Sequence, residues 1–326
     1  MFNKFILVVG GAGYIGSHML LTLQSAGFHP VALDNLAKGH RDAVFDVPLI
    51  IGDMTDTLLL DELFSTYRFS AVMHFASFIE VGESVKNPLK YYANNMAASL
   101  NLLKAMLRHE VKNFIFSSTA AVYGEPHYTP IDEVHPIQPI NPYGKSKWML
   151  EQVLRDLSLS HGLRFAALRY FNAAGADPKG RLAERHYPET HLIPLILQVA
   201  REERPVITIY GDDYPTFDGT CIRDYIHVTD LCDAHLLALH ALLQGDGGMT
   251  YNLGVGHGYS VKQVIDAVRK VTQQIIPIEI GPRRAGDPAS LVANAERAMR
   301  ELHWQPRFSG LEMIVRHAWE ACSTYA

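Results

Sequence analysis

A chain of 326 residues, 48% hydrophobic and 19% charged, can bury a sizeable core as two domains or one large α/β unit. Its formal net charge is −5, from 29 Lys plus Arg against 34 Asp plus Glu, and no basic run stands out, which argues against nucleic acid or an anionic membrane as partner. No stretch approaches ~18 apolar residues, so no membrane span is expected.

Cys221, Cys232 and Cys322 lie far apart with no CxxC, and the 16 histidines show no HExxH. Free thiols in a reducing compartment and no metal are therefore expected. The opening MFNKFILVVGGAGYIG has the lysine and short apolar run of a secretion signal. Glycines break that run at once and no small-residue cleavage site follows, so a cytoplasmic protein is expected.

Short apolar runs predict strands at 5–9, 30–34, 48–51, 70–75, 113–117 and 163–169. Amphipathic stretches between them predict helices near 14–26, 57–66, 86–108 and 142–160. Strands apolar on both faces need helices on each side, so the expected fold is α/β, a doubly wound parallel sheet of Rossmann-like form. Beyond residue 170, loop-rich stretches at 173–190 and 210–220 alternate with helical patterns at 190–203, 229–243, 260–273 and 309–322. The division is thus a dinucleotide-binding domain at 1–170 and a smaller C-terminal substrate-binding domain at 171–326, with 223–255 expected to pack back onto the first.

The first strand runs into a glycine turn that opens a helix. Gly10, Gly13 and Gly16 fall in a GxxGxxG spacing, with Tyr14 and Ile15 between the last two. Glycine permits positive φ and close approach to a pyrophosphate, and the helix N-terminus supplies free N–H groups and a positive dipole end. Asp34 ends the second strand, 18 residues after Gly16. Its carboxylate can accept both hydroxyls of an adenosine ribose, and no arginine follows it in LDNLAKG, which favours NAD over NADP. Asp53, followed by Met54, closes the third strand within reach of an adenine.

Farther along, NPYGKSK places Tyr143 and Lys147 four apart at a helix start, on one face. An ammonium ~4 Å from a phenol at an effective dielectric of ~20 contributes ~4 kcal/mol, roughly three pKa units before desolvation. That would make the tyrosine a base near neutral pH. Ser118 or Thr119, at the end of the fifth strand, could orient a substrate oxygen.

The glycine turn, FSSTAAVYG and YGKSK together resemble the extended short-chain dehydrogenase/reductase family. FIEVGESVKNPLKYYANN, LRYFNAAGADP, PETHLIPLILQVA, RDYIHVTDLCDAH, YNLGVGHGYSV and RRAGDP narrow the likeness to UDP-glucose 4-epimerases, from residue 3 to about 320. The resemblance implies an isomerase that inverts carbon 4 of a UDP-sugar, with bound NAD⁺ and a transient 4-keto sugar. It makes Tyr143 the base, Lys147 its tuner and the partner of the nicotinamide ribose, and Thr119 the partner of the reacting oxygen, with Ser118 second for that role. It places Asn35, Phe75, Ala76, Asn95 and Tyr170 with the cofactor. Phe171, Asn172, His191, Leu192, Tyr210, Arg223, Arg284, Asp287 and Leu291 go with the nucleotide sugar. A homodimer built by pairing the 86–108 and 142–160 helices is also implied.

Relatives that dehydrate nucleotide sugars carry an Asp-Glu pair after the active-site hydroxyl; here Ala120 and Ala121 follow Thr119, and methyl groups transfer no protons. A simple reductase is disfavoured by the long second half, and a non-catalytic NAD-sensing protein by the retained tyrosine and lysine. Three positions depart from the pattern. Ile79 stands where some members have a lysine, His191 where asparagine is frequent, and Leu291 where tyrosine or a small residue divides hexose from N-acetylhexosamine users. The alternatives of UDP-GlcNAc/UDP-GalNAc or UDP-xylose/UDP-arabinose therefore stay open.

Overall fold

The structure, a computed structural model, describes residues 4–284 and 286–322. Ala285, within the RRAGDP stretch, lies outside the described residues. The strands are β1 (Phe5–Val9), β2 (His29–Asp34), β3 (Leu49–Ile51), β4 (Ala71–His74), β5 (Asn113–Thr119), β6 (Arg164–Tyr170), β7 (Asn172–Ala174), β8 (Ile207–Tyr210), β9 (Ile222–His227), β10 (Met249–Leu253), β11 (Gly258–Ser260), β12 (Ile278–Gly281) and β13 (Ser290–Leu291). The helices are α1 (Tyr14–Ser25), α2 (Thr57–Thr66), α3 (Val81–Lys86), α4 (Pro88–Tyr91), α5 (Ser99–Arg108), α6 (Pro142–His161), α7 (Leu192–Ala200), α8 (Val228–Gln244), α9 (Val261–Thr272), α10 (Glu296–Glu301) and α11 (Leu311–Cys322).

A parallel sheet in the order β3-β2-β1-β4-β5-β6-β10 forms the centre. Ile6, Leu7, Val8 and Val9 are each at most 1% exposed, as a strand covered on both faces must be. Helices α1 and α8 bury their apolar sides on one face, and α2, α5 and α6 on the other. The fold is a Rossmann-like doubly wound α/β sheet, with its order reversing between β1 and β4, where such sheets open a ligand crevice. After β6 the chain builds a second sheet, β11-β9-β13 with β7 beside β9, and a short β8–β12 pair over a third core shared with α7, α9 and α11. Between β9 and β11 it returns through α8 and β10 to the first sheet.

One expected helix differs. The 86–108 stretch is α4, a π-helical segment Tyr92–Ala98, then α5. The wider π turn coincides with an inward Asn95, 1% exposed, whose amide pairs with both backbone groups of Phe78 at 2.9 Å each. The chain between β4 and α3 is held by this contact.

The NPYGKSK start also explains itself locally. Asn141 caps α6 by accepting the Gly144 N–H at 2.8 Å, and Pro142 occupies the first turn, where no N–H is needed. A Cβ on Gly144 would lie 2.5 Å from the Ala121 carbonyl oxygen, so only glycine lets α6 sit this close to the turn after β5. One α6 turn beyond Lys147, Glu151 accepts from Arg169 Nε at 2.9 Å, Arg169 Nη2 at 2.6 Å and Ser118 Oγ at 2.6 Å. Arg169 also donates to Tyr123 Oη at 3.0 Å, and Tyr123 to Asn252 at 2.6 Å, which joins α6, β5, β6 and β10. Removing one partner of such a buried pair strands the other charge. Glu151→Ala should lower unfolding stability by about 3–5 kcal/mol, read from urea or thermal unfolding.

Candidate active site

The glycine turn lies at the reversal point of the sheet. Gly10 has φ +81°, and a Cβ there would meet Ala76 N at 2.6 Å. A Cβ on Gly16 would come within 2.0 Å of Gly10 O, whereas one on Gly13 would meet nothing nearer than 3.4 Å. The cradle is thus tight behind and open at Gly13, where α1 begins with no acidic residue in its first turn. That is the geometry a pyrophosphate needs. Asp34, 8% exposed, ties the turn to β2 by accepting Ala12 N–H at 2.9 Å and Leu36 N–H at 2.8 Å. Each carboxylate oxygen keeps a lone pair for a ribose hydroxyl.

Lys38, the first cation after Asp34 in sequence, donates to Tyr187 O at 2.9 Å. Asp53 accepts from Asn35 Nδ2 at 2.7 Å and from Thr55 N and Oγ1 at 2.8 Å. Partial burial opposes its charge, but these bonds hold it below the usual carboxylate range. Met54 is buried, Phe75 lies tilted against His235 with ring centres 5.0 Å apart, and Ile15 lines the α1–α8 core. Tyr14 donates to Gly175 O at 2.7 Å, joining α1 to the loop after β7. These residues fit a dinucleotide without a 2′-phosphate.

At the end of β5, successive side chains alternate between faces. Thr119 faces Tyr143 and hydrogen-bonds its phenol. Ser118 points the other way, to Glu151, so the structure brings Thr119 rather than Ser118 to the tyrosine. Ser117 shares the Thr119 face; its hydroxyl bonds Tyr170 Oη, and its carbonyl accepts Lys147 Nζ at 2.7 Å. Lys147, 2% exposed, also donates to Ser77 Oγ at 2.7 Å and lies 6.0 Å from the Tyr143 ring centre.

The electrostatic expectation for this pair changes. Burial pushes the Tyr143 phenol up, with the Thr119 bond only partly opposing. Burial also brings Lys147 down to about 7, against the upward pull of Glu151. The ammonium is directed at Ser117 and Ser77 rather than at the phenol, so desolvation outweighs attraction within the protein's own charges.

On the substrate side, Phe171 is buried among Ala120, Val122, Ile131 and Ala293, with Leu291 against it. Leu291 pairs with Arg223 across β13 and β9. Arg223 bonds Asp287, not its neighbour Asp224, which is fully buried and accepts Val255, Gly256 and Ala293 N–H groups. Arg284 lies 4.0 Å over the Tyr210 ring, itself 40% exposed. Asn172 is half-buried on β7, and Leu192 opens α7. His191 is turned elsewhere: its Nδ1 lies 2.8 Å from Glu184 and 3.2 Å from Glu189. Asn95 acts through the Phe78 backbone, as described above.

Sequence reasoning missed Ser77 and Ser117, which hold Lys147. Strand alternation places Ser117 on the Thr119 face, but nothing local marks Ser77. It also missed the four-residue group Glu184, His186, Glu189 and His191, whose ExHxxExH spacing no helix or strand period organises. Burial opposes charge on both imidazoles, but the Glu184 carboxylate beside them outweighs it, raising His186 to about 9 and His191 to about 10.

A buried lysine whose folded pKa lies below its unfolded value of ~10.4 destabilises the fold below that value, and the cost fades as pH rises from 7 towards 10. The stability of the native protein relative to Lys147→Met should therefore rise with pH, by up to about 1.4 kcal/mol per unit over that range. Urea unfolding of both proteins at pH 7 and 9.5 checks this; a flat difference would contradict a buried, down-shifted ammonium.

The residue pattern of the NAD dependent epimerase/dehydratase family matches residues 6–254. The UDP-glucose 4-epimerase of Halalkalibacterium halodurans is 53% identical over 96% of this chain and 94% of its own. The crystal structure of UDP-glucose 4-epimerase from Brucella ovis in complex with NAD superposes with a TM-score of 0.94, 46% identity and 97% coverage of both chains. That from Bifidobacterium longum, in complex with NAD⁺ and UDP, has a TM-score of 0.94, 38% identity and 98% coverage of both. With the glycine cradle, Asp34 and the Thr119–Tyr143–Lys147 group at the crevice, this chain belongs to the NAD dependent epimerase/dehydratase family.

Proposed function

We propose that this protein is an NAD-dependent isomerase that inverts carbon 4 of a UDP-sugar, interconverting UDP-glucose and UDP-galactose through a 4-keto sugar. The observation that carries this reading is Tyr143 beside Thr119 and Lys147 at the end of β5, with the methyl-bearing Ala120 and Ala121 following. NAD⁺, held by the Gly10–Gly16 turn, Asp34 and Asp53, would supply a hydride acceptor for carbon 4, a donor for its return, and a positive ring charge that favours the phenolate.

The chain's own residues then divide the remaining work. Tyr143 takes the proton from the 4-hydroxyl and gives it back after the sugar has turned. Thr119 orients that oxygen. Lys147, held by Ser117 and Ser77, would hold the nicotinamide ribose and keep its charge one helical turn from the phenol. Tyr170, Phe75 and Asn95 shape the cofactor wall. Arg223 and Arg284 suit a diphosphate, Asp287 a ribose diol, and Asn172 a sugar or phosphate oxygen. Phe171 and Leu291 give the sugar an apolar wall against which a flat ring can rotate. With no second acid–base pair next to Thr119, elimination of water lacks its proton carriers.

We read residues 1–170 with the returning α8 and β10 as the cofactor domain, and the remainder as the sugar-nucleotide domain. We also propose a homodimer through the exposed face of α6, where Met149 is 44% exposed, and the α4–α5 stretch. Light scattering coupled to gel filtration checks this; a monomer at micromolar concentration would remove it. Among the described residues no helix is long and apolar enough to cross a membrane. We also propose a cytoplasmic location, which the free Cys221, Cys232 and Cys322 suit.

Tyr143→Phe should keep NAD binding and lower turnover of UDP-galactose to UDP-glucose by about 10²–10⁴-fold, read by chromatography of the nucleotide sugars. Activity near the native level would remove Tyr143 as the base. Failure of the native, NAD-loaded protein to convert UDP-galactose, while it converts UDP-GlcNAc or UDP-arabinose, would move the substrate and keep the reaction.

A further inference from the structure

The segment 184–191, Glu-Arg-His-Tyr-Pro-Glu-Thr-His, leads from the loop after β7 into the first turn of α7. Glu184 Oε1 lies 2.8 Å from His191 Nδ1 and 3.2 Å from His186 Nδ1. Glu189 lies 3.2 Å from His191 Nδ1 through Oε1 and 3.8 Å from His186 Nδ1 through Oε2. One donor atom from each residue falls within 4.8 Å of all the others. A tetrahedral ion with bonds of ~2.0–2.1 Å spaces its donors ~3.3 Å apart. The four imidazole–carboxylate separations scatter about that value, Glu189 meeting the two rings through different oxygens.

The cluster is partly buried. The glutamate side chains are 7% and 4% exposed, and those of His186 and His191 are 18% and 35%. His186 Nδ1 is buried without a well-formed hydrogen bond. Buried carboxylates and imidazoles facing one another need either protons or a metal between them. Two neutral imidazoles and two carboxylates carry −2, which one divalent cation cancels. Mixed imidazole and carboxylate donors, four in number, suit zinc and not the oxygen-rich shells of magnesium or calcium.

We propose that Glu184, His186, Glu189 and His191 form a structural divalent-metal site, zinc by its donor set. Four ligands from one segment leave no open position, which marks it as structural rather than catalytic. Its place in the fold gives it a task. Lys38 donates to Tyr187 O at 2.9 Å, His40 Nε2 contacts Arg185 O at 2.8 Å, and Arg185 pairs with Asp42 at 2.8 Å. These three lie just after Asp34. The other end of the segment opens α7 in the second half. The ion clips a strap that joins the ribose-binding loop of one half to the first helix of the other.

The competing account is a pair of imidazolium–carboxylate bridges with no ion. To separate the two, the full chain is made without a histidine tag, loaded with zinc chloride, desalted and assayed by elemental analysis. About one zinc per chain is expected, with Glu189→Gln and His186→Gln losing most of it and the distant, exposed His161→Gln keeping it. Stripping with a chelator should lower the midpoint of thermal unfolding by several degrees, and zinc should restore it. Cobalt-loaded native protein should show the strong visible absorption of tetrahedral coordination, a readout that does not depend on any variant folding. Zinc content equal in the native and Glu189→Gln proteins, a midpoint indifferent to chelation, or a weak six-coordinate cobalt spectrum would each overturn the site in favour of the ion pairs.

Discussion

The catalytic end of this molecule depends on one buried ammonium. Lys147 has almost no access to water, and its charge is satisfied by one backbone carbonyl on β5 and one hydroxyl from the loop after β4. A buried charge with so few partners tolerates little movement, because any shift leaves it unpaired. It therefore pins α6 to the C-terminal ends of two strands at once. Asn141, Pro142 and Gly144 start the helix close enough for this contact to form, and Tyr143 arrives beside Thr119 as a consequence.

Behind that ammonium lies a second buried layer. Glu151, one helical turn on, is neutralised by Arg169 and also biases Lys147 towards its charged form. Ser118 belongs to this supporting layer, while Ser117 and Thr119 belong to the reacting face. Three consecutive hydroxyls on one strand thus divide between two tasks by strand alternation alone. The same alternation explains why two adjacent candidates, equal in sequence, are unequal in space.

The protein's own charges leave Tyr143 protonated and Lys147 near its titration point. Both shifts come from desolvation. In the function proposed above, the phenol needs a further positive charge before it becomes a base, which would couple base activation to occupation of the Gly10–Gly16 cradle. A phenol idle without cofactor would take no proton from a substrate that the empty site cannot oxidise.

Much of this was legible along the chain, because it depends on local physics. Strand and helix periods located the Rossmann half to within a few residues, and glycine spacing with Asp34 marked the turn at the sheet's reversal point to which the dinucleotide is assigned here. The Tyr143 and Lys147 spacing needed only helix geometry. What tertiary structure decided was everything requiring two distant segments to meet. Asn95 spends its amide on Phe78, and its helix widens into a π segment there. Arg223 meets Asp287 instead of Asp224, and Lys38 turns to Tyr187. His191 leaves the sugar side for Glu184 and Glu189, and the sign of the Tyr143 shift reverses. Sequence spacing carries the repeat of a helix or a strand, but burial and the partner across a loop exist only once the chain has closed on itself.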